Sequence, residues 1–160
     1  MAGIAGGIHF RGERPRGEIR RLSNALASRG SIAHFWSEGP AALVQRDEQE
    51  ADVAQDGELI LIFDGRVHGL EDLRQRLAKE GAVPEGTSTA ESLLAAWRQW
   101  GASFLNKVEG DFAIALWDKR DSVLRLFRDR FGVKPLFFAQ DGPRFAFASD
   151  PRALLRLEWL

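Results

Sequence analysis

Cysteine is absent from this chain of 160 residues, which excludes a disulfide framework, a thiolate zinc site and a cysteine nucleophile. Net charge is nearly absent too. The 22 Lys and Arg face 23 Asp and Glu, a formal −1, so no whole-chain field favours nucleic acid or an anionic membrane. No uncharged apolar run approaches the roughly 18 to 20 residues of a membrane helix. The first apolar run, 4–10, is broken by glycines and His9 and is followed by Arg11, the wrong order for a secretory signal. Repeats, low-complexity tracts and Pro/Ser-rich linkers are also lacking. The expectation is a single cytoplasmic domain, 1–160, with neither nucleic acid nor membrane as partner. Phosphate-cradling GxGxxG and GxxxxGK[ST] loops do not occur. His9, His34 and His68 lie too far apart for metal-ligand spacing, so no metal site is expected and the three are read as structural or exposed.

What is present fits a globular fold: 44% hydrophobic and 28% charged residues. The glycine-rich start Gly3-Ile4-Ala5-Gly6-Gly7-Ile8-His9-Phe10 reads as a strand whose small residues let another backbone approach. Ile19, Leu22 and Leu26 predict a helix over 16–28 stopped by Gly30. Apolar runs alternating with turns predict three or four strands over 32–63. Leu70, Leu73 and Leu77 mark a helix closed by Gly81, and Leu93, Leu94 and Trp97 mark another, opened by the capping box Ser88-x-x-Glu91. Strands are predicted over 112–117, 123–127, 135–139 and 145–148, then a short helix with Asp150 as N-cap and Pro151 at its first position. The order strands, helices, strands, helix points to α+β with antiparallel sheets.

Charge is uneven locally. Residues 11–30 carry six Arg against two Glu, and residues 45–58 carry one Arg against six acids. These read as two solvated faces, since no base-stacking aromatics interleave with the arginines.

Three ordered segments carry a family resemblance. Glu109-Gly110-Asp111-Phe112-Ala113-Ile114-Ala115-Leu116-Trp117-Asp118, Arg128-Asp129-Arg130-Phe131-Gly132-Val133-Lys134-Pro135-Leu136-Phe137-Phe138 and Phe147-Ala148-Ser149-Asp150 resemble motifs of the asparagine synthetase branch of class II glutamine amidotransferases. The start Met1-Ala2-Gly3-Ile4-Ala5-Gly6 resembles that family's N-terminus. The resemblance implies an α+β, four-layer αββα sandwich of the N-terminal-nucleophile hydrolase type, covering only the family's first domain. Arg128, Asp129, Gly132 and Pro135 would be structural, with Arg128 and Asp129 as a buried ion pair supporting a turn at Gly132.

The family's chemistry uses a cysteine exposed by methionine removal, whose thiol attacks the glutamine amide while the free α-amine acts as base. Here Ala2 occupies that position, so no catalytic residue is assigned. The family's NGE segment, which supplies oxyanion donors and a glutamate for the substrate ammonium, is matched by Asp64-Gly65-Arg66. A carboxylate at Asp64 accepts rather than donates, and Arg66 repels an ammonium. Thr87-Ser88-Thr89 replaces the family's G-S-D, and the HRGPD turn survives only as Ser28-Arg29-Gly30-Ser31. The family's substrate-carboxylate arginine has no confident match near Gln45-Arg46. Asp64, Gly65, Arg66, Ser88 and Thr89 would thus line a vestigial pocket, Asp64 and Arg66 lying at its mouth with their charges met by one another or by water.

The resemblance implies a degenerate glutaminase-like domain partnering a synthetase domain of an amide-forming ligase. β-Lactam synthetases and lasso peptide cyclases are such enzymes, and the strand-turn Phe63-Asp64-Gly65-Arg66 looks like the lasso cyclase branch. ATP and Mg would belong to the synthetase domain, whose SGGxDS loop is not in these residues, and a precursor peptide would be reached through it. The other reading is a stand-alone interaction or ligand-binding module. Leu154, Leu155, Leu157, Trp159 and Leu160 crowd more apolar side chains into the last turns than one short helix can bury, which predicts a surface meant to be covered.

Overall fold

The computed structural model describes residues 2–12, 15–49 and 52–160. The chain divides into two compact units, one formed by residues 1–51 with 134–160, the other by residues 52–133. Each contains one antiparallel sheet with helices, so the chain is α+β as expected.

The first unit holds strands β1 (Gly3–His9), β2 (Ile32–Glu38), β3 (Ala41–Asp47), β8 (Phe137–Asp141) and β9 (Arg144–Ala148), in the sheet order β2-β3-β1-β9-β8. Its helices are α1 (Arg16–Ala25) and the four-residue α4 (Pro151–Leu154). Ile19, Leu22 and Leu26 recur at helical spacing and pack with Ala5 and Val44 of the sheet and with Leu154 and Leu157 beyond it. The predicted helix over 16–28 is shorter: residues Ala27–Arg29 form a 3-10 turn. The Leu26 N–H is shared between the Leu22 and Ser23 carbonyls at 3.2 and 3.0 Å, the onset of that tightening. At Gly6 the space a Cβ would need is filled by Leu43 and Phe147, its register partners on either side. The strand glycine therefore accommodates neighbouring side chains, not the backbone approach expected from sequence.

The second unit holds β4 (Val53–Asp56), β5 (Leu59–His68), β6 (Glu109–Asp118) and β7 (Val123–Arg128) in that sheet order, with α2 (Leu70–Lys79), α3 (Thr89–Trp100) and a 3-10 segment Gly101–Asn106. Alternate residues of β5 and β6, among them Leu61, Phe63, Ile114 and Leu116, bury against Leu73 and Leu77 of α2 and Leu93 and Leu94 of α3. Trp97, Phe104 and Phe127 close this core as three aromatic pairs with centroids 5.3 to 6.1 Å apart, and the Arg125 guanidinium lies 5.1 Å from the Trp97 ring.

The segment read as a strand-turn at 63–66 is instead the interior of β5, whose pairing with β6 continues unbroken through Asp64↔Ala113, Gly65↔Phe112, Arg66↔Asp111 and Val67↔Gly110 to His68↔Glu109. Two glycines permit this. Gly65 has φ +140° and Gly110 φ +153°, and a Cβ on Gly65 would collide with the Asp111 carbonyl just as one on Gly110 would collide with that of Arg66.

No helix among the described residues is long and apolar enough to cross a membrane, and none of their side chains form a group of metal-ligand type.

Candidate functional site

In the first unit, Ala2 stands half-buried directly ahead of β1. Its chain direction is set by Ser149, whose hydroxyl accepts from the Ile4 N–H at 2.9 Å while its own N–H donates to the Ile4 carbonyl at 2.9 Å. Arg29 lies over Gly3, where it fills the space of a side chain, and donates to the Ser149 carbonyl at 3.3 Å. The surviving Arg29 of the turn motif and Ser149 of the third motif therefore fix the backbone that presents residue 2. Arg46 ties β3 to the end of α1, donating to the Ser23 hydroxyl at 3.0 Å and to the Gly30 carbonyl at 2.7 Å. These bonds commit its guanidinium to backbone and hydroxyl oxygens.

In the second unit, Asp64 is fully buried in β5 and Arg66 is exposed. Arg66 makes no ion pair among the described residues, so of the two expected ways of meeting these charges, by one another or by water, the first does not occur. The burial of the strand explains why proximity in sequence was misleading. Asp64 ends the fully buried stretch of β5, whereas Arg66 lies where the same strand runs out to solvent.

Ser88 opens α3 as predicted. Its hydroxyl accepts from the Glu91 N–H at 3.1 Å, and the Glu91 carboxylate accepts from the Ser88 N–H at 2.9 Å, completing the capping box. Two further residues belong here that the sequence reading did not single out. Asp52 accepts from the Ala90 N–H at 2.7 Å, and Arg74 of α2 donates to the Thr87 and Ser88 carbonyls and to the Ser92 hydroxyl at 3.0 Å. Asp52 was hidden inside the acidic run, and its role is visible only once β4 is seen beside α3. Thr89, half-buried, carries a hydroxyl at the first helical position. The start of α3 is thus satisfied by its own protein's carboxylates and hydroxyl.

The third group gathers at a turn. Asp129 is buried, and its Oδ1 accepts from the Phe131 and Val133 N–H groups at 3.1 and 2.9 Å while Oδ2 accepts from Phe112 at 3.3 Å. Arg128 is exposed, not buried as expected, and donates to the Gly132 carbonyl at 2.7 Å. Gly132 itself has φ +65°. Each of the two side chains holds the turn through backbone contacts. Pro135 is half-buried ahead of β8. Of the histidines, His9 meets the Glu18 carboxylate at 2.8 Å, and His34 and His68 are exposed.

The C-terminal residues divide. Leu154 and Leu157 are buried in the first unit's core and Trp159 packs against it, whereas Leu155 and Leu160 are 73% and 57% exposed.

The fold matches that of two solved structures. The structure is similar to glutamine phosphoribosylpyrophosphate amidotransferase from B. subtilis, with TM-score 0.78 over 95% of this chain and 42% of that one, at 15% identity. A second solved structure, described as the allosteric regulatory enzyme of purine biosynthesis, aligns with TM-score 0.79 over 96% of this chain and 43% of its own, also at 15% identity. These likenesses establish the fold alone. By sequence, residues 1–159 match the glutamine amidotransferase domain family, and the chain belongs to that family. Among curated relatives it is 30% identical to asparagine synthetase [glutamine-hydrolyzing] 3 of Bacillus subtilis over 97% of this chain and 27% of the relative. It is 31% identical to a putative asparagine synthetase [glutamine-hydrolyzing] 1 of Methanocaldococcus jannaschii over 88% of this chain and 24% of the relative. The chain spans about a quarter of the length of these relatives.

Proposed function

We propose that this chain is a catalytically degenerate glutaminase-like domain of an asparagine-synthetase-like, ATP-dependent amide ligase of the lasso peptide cyclase type, retained as packing partner of the synthetase domain. The observation that carries this reading is Ala2 ahead of β1, where the resembled family needs a thiol: a methyl group offers neither a nucleophile nor a side-chain proton. The buried carboxylate of Asp64 supports it, because an oxyanion forming beside β5 would meet an acceptor in place of an amide donor. So does Arg66, whose charge opposes the ammonium of a free amino acid. A ligase that joins an amine already present on its peptide needs no ammonia, which makes the nucleophile dispensable while the domain's surface stays useful. ATP and Mg would be handled by the synthetase domain, the precursor peptide would be met there, and the work would take place in the cytoplasm.

The test is ammonia release from glutamine by this chain and by Ala2→Cys. Neither is expected to exceed a no-protein control, since the cysteine variant still lacks the oxyanion donor, a loss that alone costs about 10² to 10³ in rate. Release by the unaltered chain overturns the reading of degeneracy, and release by Ala2→Cys alone overturns the role given to Asp64 and Arg66. Titration calorimetry with glutamine should show no binding tighter than about 1 mM, near −4 kcal/mol.

A further inference from the structure

We propose that the free edge of β4 docks an extended, basic segment of another polypeptide, which joins the second unit's sheet as a fifth strand and lays lysine or arginine side chains in the groove beside it. β4 is an outermost strand of its sheet. Its hairpin with β5 turns through Gly57 and Glu58, with Gly57 at φ +56°, and the pair Asp56↔Leu59 that closes so short a turn exchanges both backbone bonds. Pairs alternate along an antiparallel ladder. Asp56 and Ala54 therefore aim their N–H and C=O groups at β5, while Val53 and Gln55 aim theirs outward. No described strand lies beyond β4, and no loop backbone bond meets those outward groups. An edge left in this state is a template for an added strand.

A groove of about 280 Å³ runs beside this edge, between β4, α3 and the connection 81–85 that follows α2, all within the second unit. Its lining includes apolar Ala54, Leu94 and Ala95, and Val83 stands 71% exposed on the connection. Charge selects the occupant. The groove's cation, Arg98, is already met by the Asp56 carboxylate and donates to the Asp56 carbonyl at 2.9 Å. Two carboxylates face no cation among the described residues: Glu91, which accepts from the Ser88 N–H at 2.9 Å, and Glu85, which makes no ion pair or side-chain hydrogen bond there. Asp52, directly ahead of β4, adds a third, since the Ala90 N–H it accepts from brings no charge. An apolar floor under an acidic rim suits a side chain with a long apolar stem and a cationic head. An added strand points every second side chain to one face, so basic residues at alternate positions lay their stems along the floor and carry their charges to Glu85 and Glu91. The acidic run of the sequence thereby acquires, around β4, a role beyond that of a solvated face. The inference is independent of the lost glutaminase activity, because no residue it uses lies at Ala2, Asp64 or Arg66.

The experiment titrates the whole chain with a capped hexapeptide of alternating lysine and valine, read by calorimetry and by amide hydrogen exchange in NMR. Binding tighter than about 1 mM is expected, with exchange slowed at the Val53 and Gln55 amides. N-methylation of the peptide on one alternate set of residues should weaken it about tenfold, and on the other set should leave it unchanged, because only one set faces β4. Glu85→Lys, at an exposed position, should weaken binding about threefold or more. Gln55→Pro removes an outward donor at an edge, where proline is tolerated, and should weaken it about tenfold in a chain still folded by circular dichroism. Absence of binding, equal binding of a glutamate-valine hexapeptide, or equal loss from the two N-methylated peptides overturns the proposal. So does N-acetyl-lysine amide binding as tightly as the hexapeptide, which marks a pocket for a single side chain. Protection of Gln55 that grows with protein concentration in the absence of peptide puts a second copy of the chain on the edge and overturns it too.

Discussion

Two places in the second unit where glycine has a positive φ differ in the neighbour that bars a Cβ. At Gly65 and Gly110 the two central strands press together so closely that the carbonyl of each occupies the space a Cβ on the other would need. At Gly132 the restriction comes from the backbone itself, φ +65°, and the neighbour that a Cβ would meet is the Arg128 guanidinium, the movable end of a flexible side chain. The first constraint belongs to the sheet and the second to one turn. The difference also bears on the resemblance of Asp64-Gly65-Arg66 to the family's NGE segment, in which the glycine alone is kept. The backbone's demand explains that retention without any appeal to catalysis, so Gly65 is no sign that the chemistry survives.

The sharpest way to break the comparison is to add one methyl group at each site. Gly65→Ala forces two β-strands apart against a main-chain oxygen, and its cost is expected to reach about 4 kcal/mol or more, a large part of a domain's total stability. It should leave little folded protein by urea denaturation. Asp129→Ala comes next, at about 2 to 4 kcal/mol, because it removes a charged acceptor from three backbone N–H groups, one of them on the buried Phe112. Asp129→Asn refines the point. Its amide oxygen can keep the Phe131 and Val133 bonds, but its NH₂ then faces the Phe112 N–H, donor against donor, so about half the loss should remain. Gly132→Ala should cost only about 1 to 2 kcal/mol, the penalty of a left-handed conformation, as Arg128 swings aside. Equal costs at Gly65 and Gly132 would remove the distinction between the two sites.

The element order, the capping box at Ser88, the Asp150 cap and the antiparallel sheets were legible in the sequence because each is a local signal. Periodicity marks a helix, and a Ser three residues before a Glu marks its start. What escaped was contact between segments distant in the chain. Asp52 reaches the Ala90 N–H across 38 residues, and nothing in its charge-rich neighbourhood distinguishes it from a solvated acid. The course of 63–66 was misread for a related reason: Asp-Gly looks like a turn until the partner glycine, Gly110, is found opposite on β6. The candidate site was legible only as far as the family resemblance reached, since Ala2 and Asp64 acquire meaning from what the family places there. The apolar C-terminus was half legible, because composition shows that five side chains compete for cover and only packing shows that Leu155 and Leu160 go without it.

Asp150 gives the smallest expected effect and separates a carboxylate that holds backbone from one that also holds a charge. Its Oδ1 accepts from the Arg152 N–H at 2.9 Å as the N-cap of α4, and the Arg152 guanidinium donates to both carboxylate oxygens, the shortest contact being 2.6 Å. The side-chain hydrogen bond from Arg152 is the chief reason its pKa falls from 3.8 to about 2, with the backbone bond and the charges of Arg152 and Arg29 adding to it. A pKa lowered in the folded state means stability that is present in full above 3.8 and lost as pH falls toward about 2. Arg152 is largely exposed, so solvent and salt screen the pair and keep its contribution small. Asn caps a helix as well as Asp does, so Asp150→Asn should keep the N-cap and lose only the ionic part. Urea midpoints of the two proteins should therefore differ above pH 4, with the unaltered chain the more stable, and converge as the pH approaches 2 or as salt is raised. A difference that persists unchanged at pH 2 would assign the stabilisation to the cap geometry and leave Arg152 without a share in it.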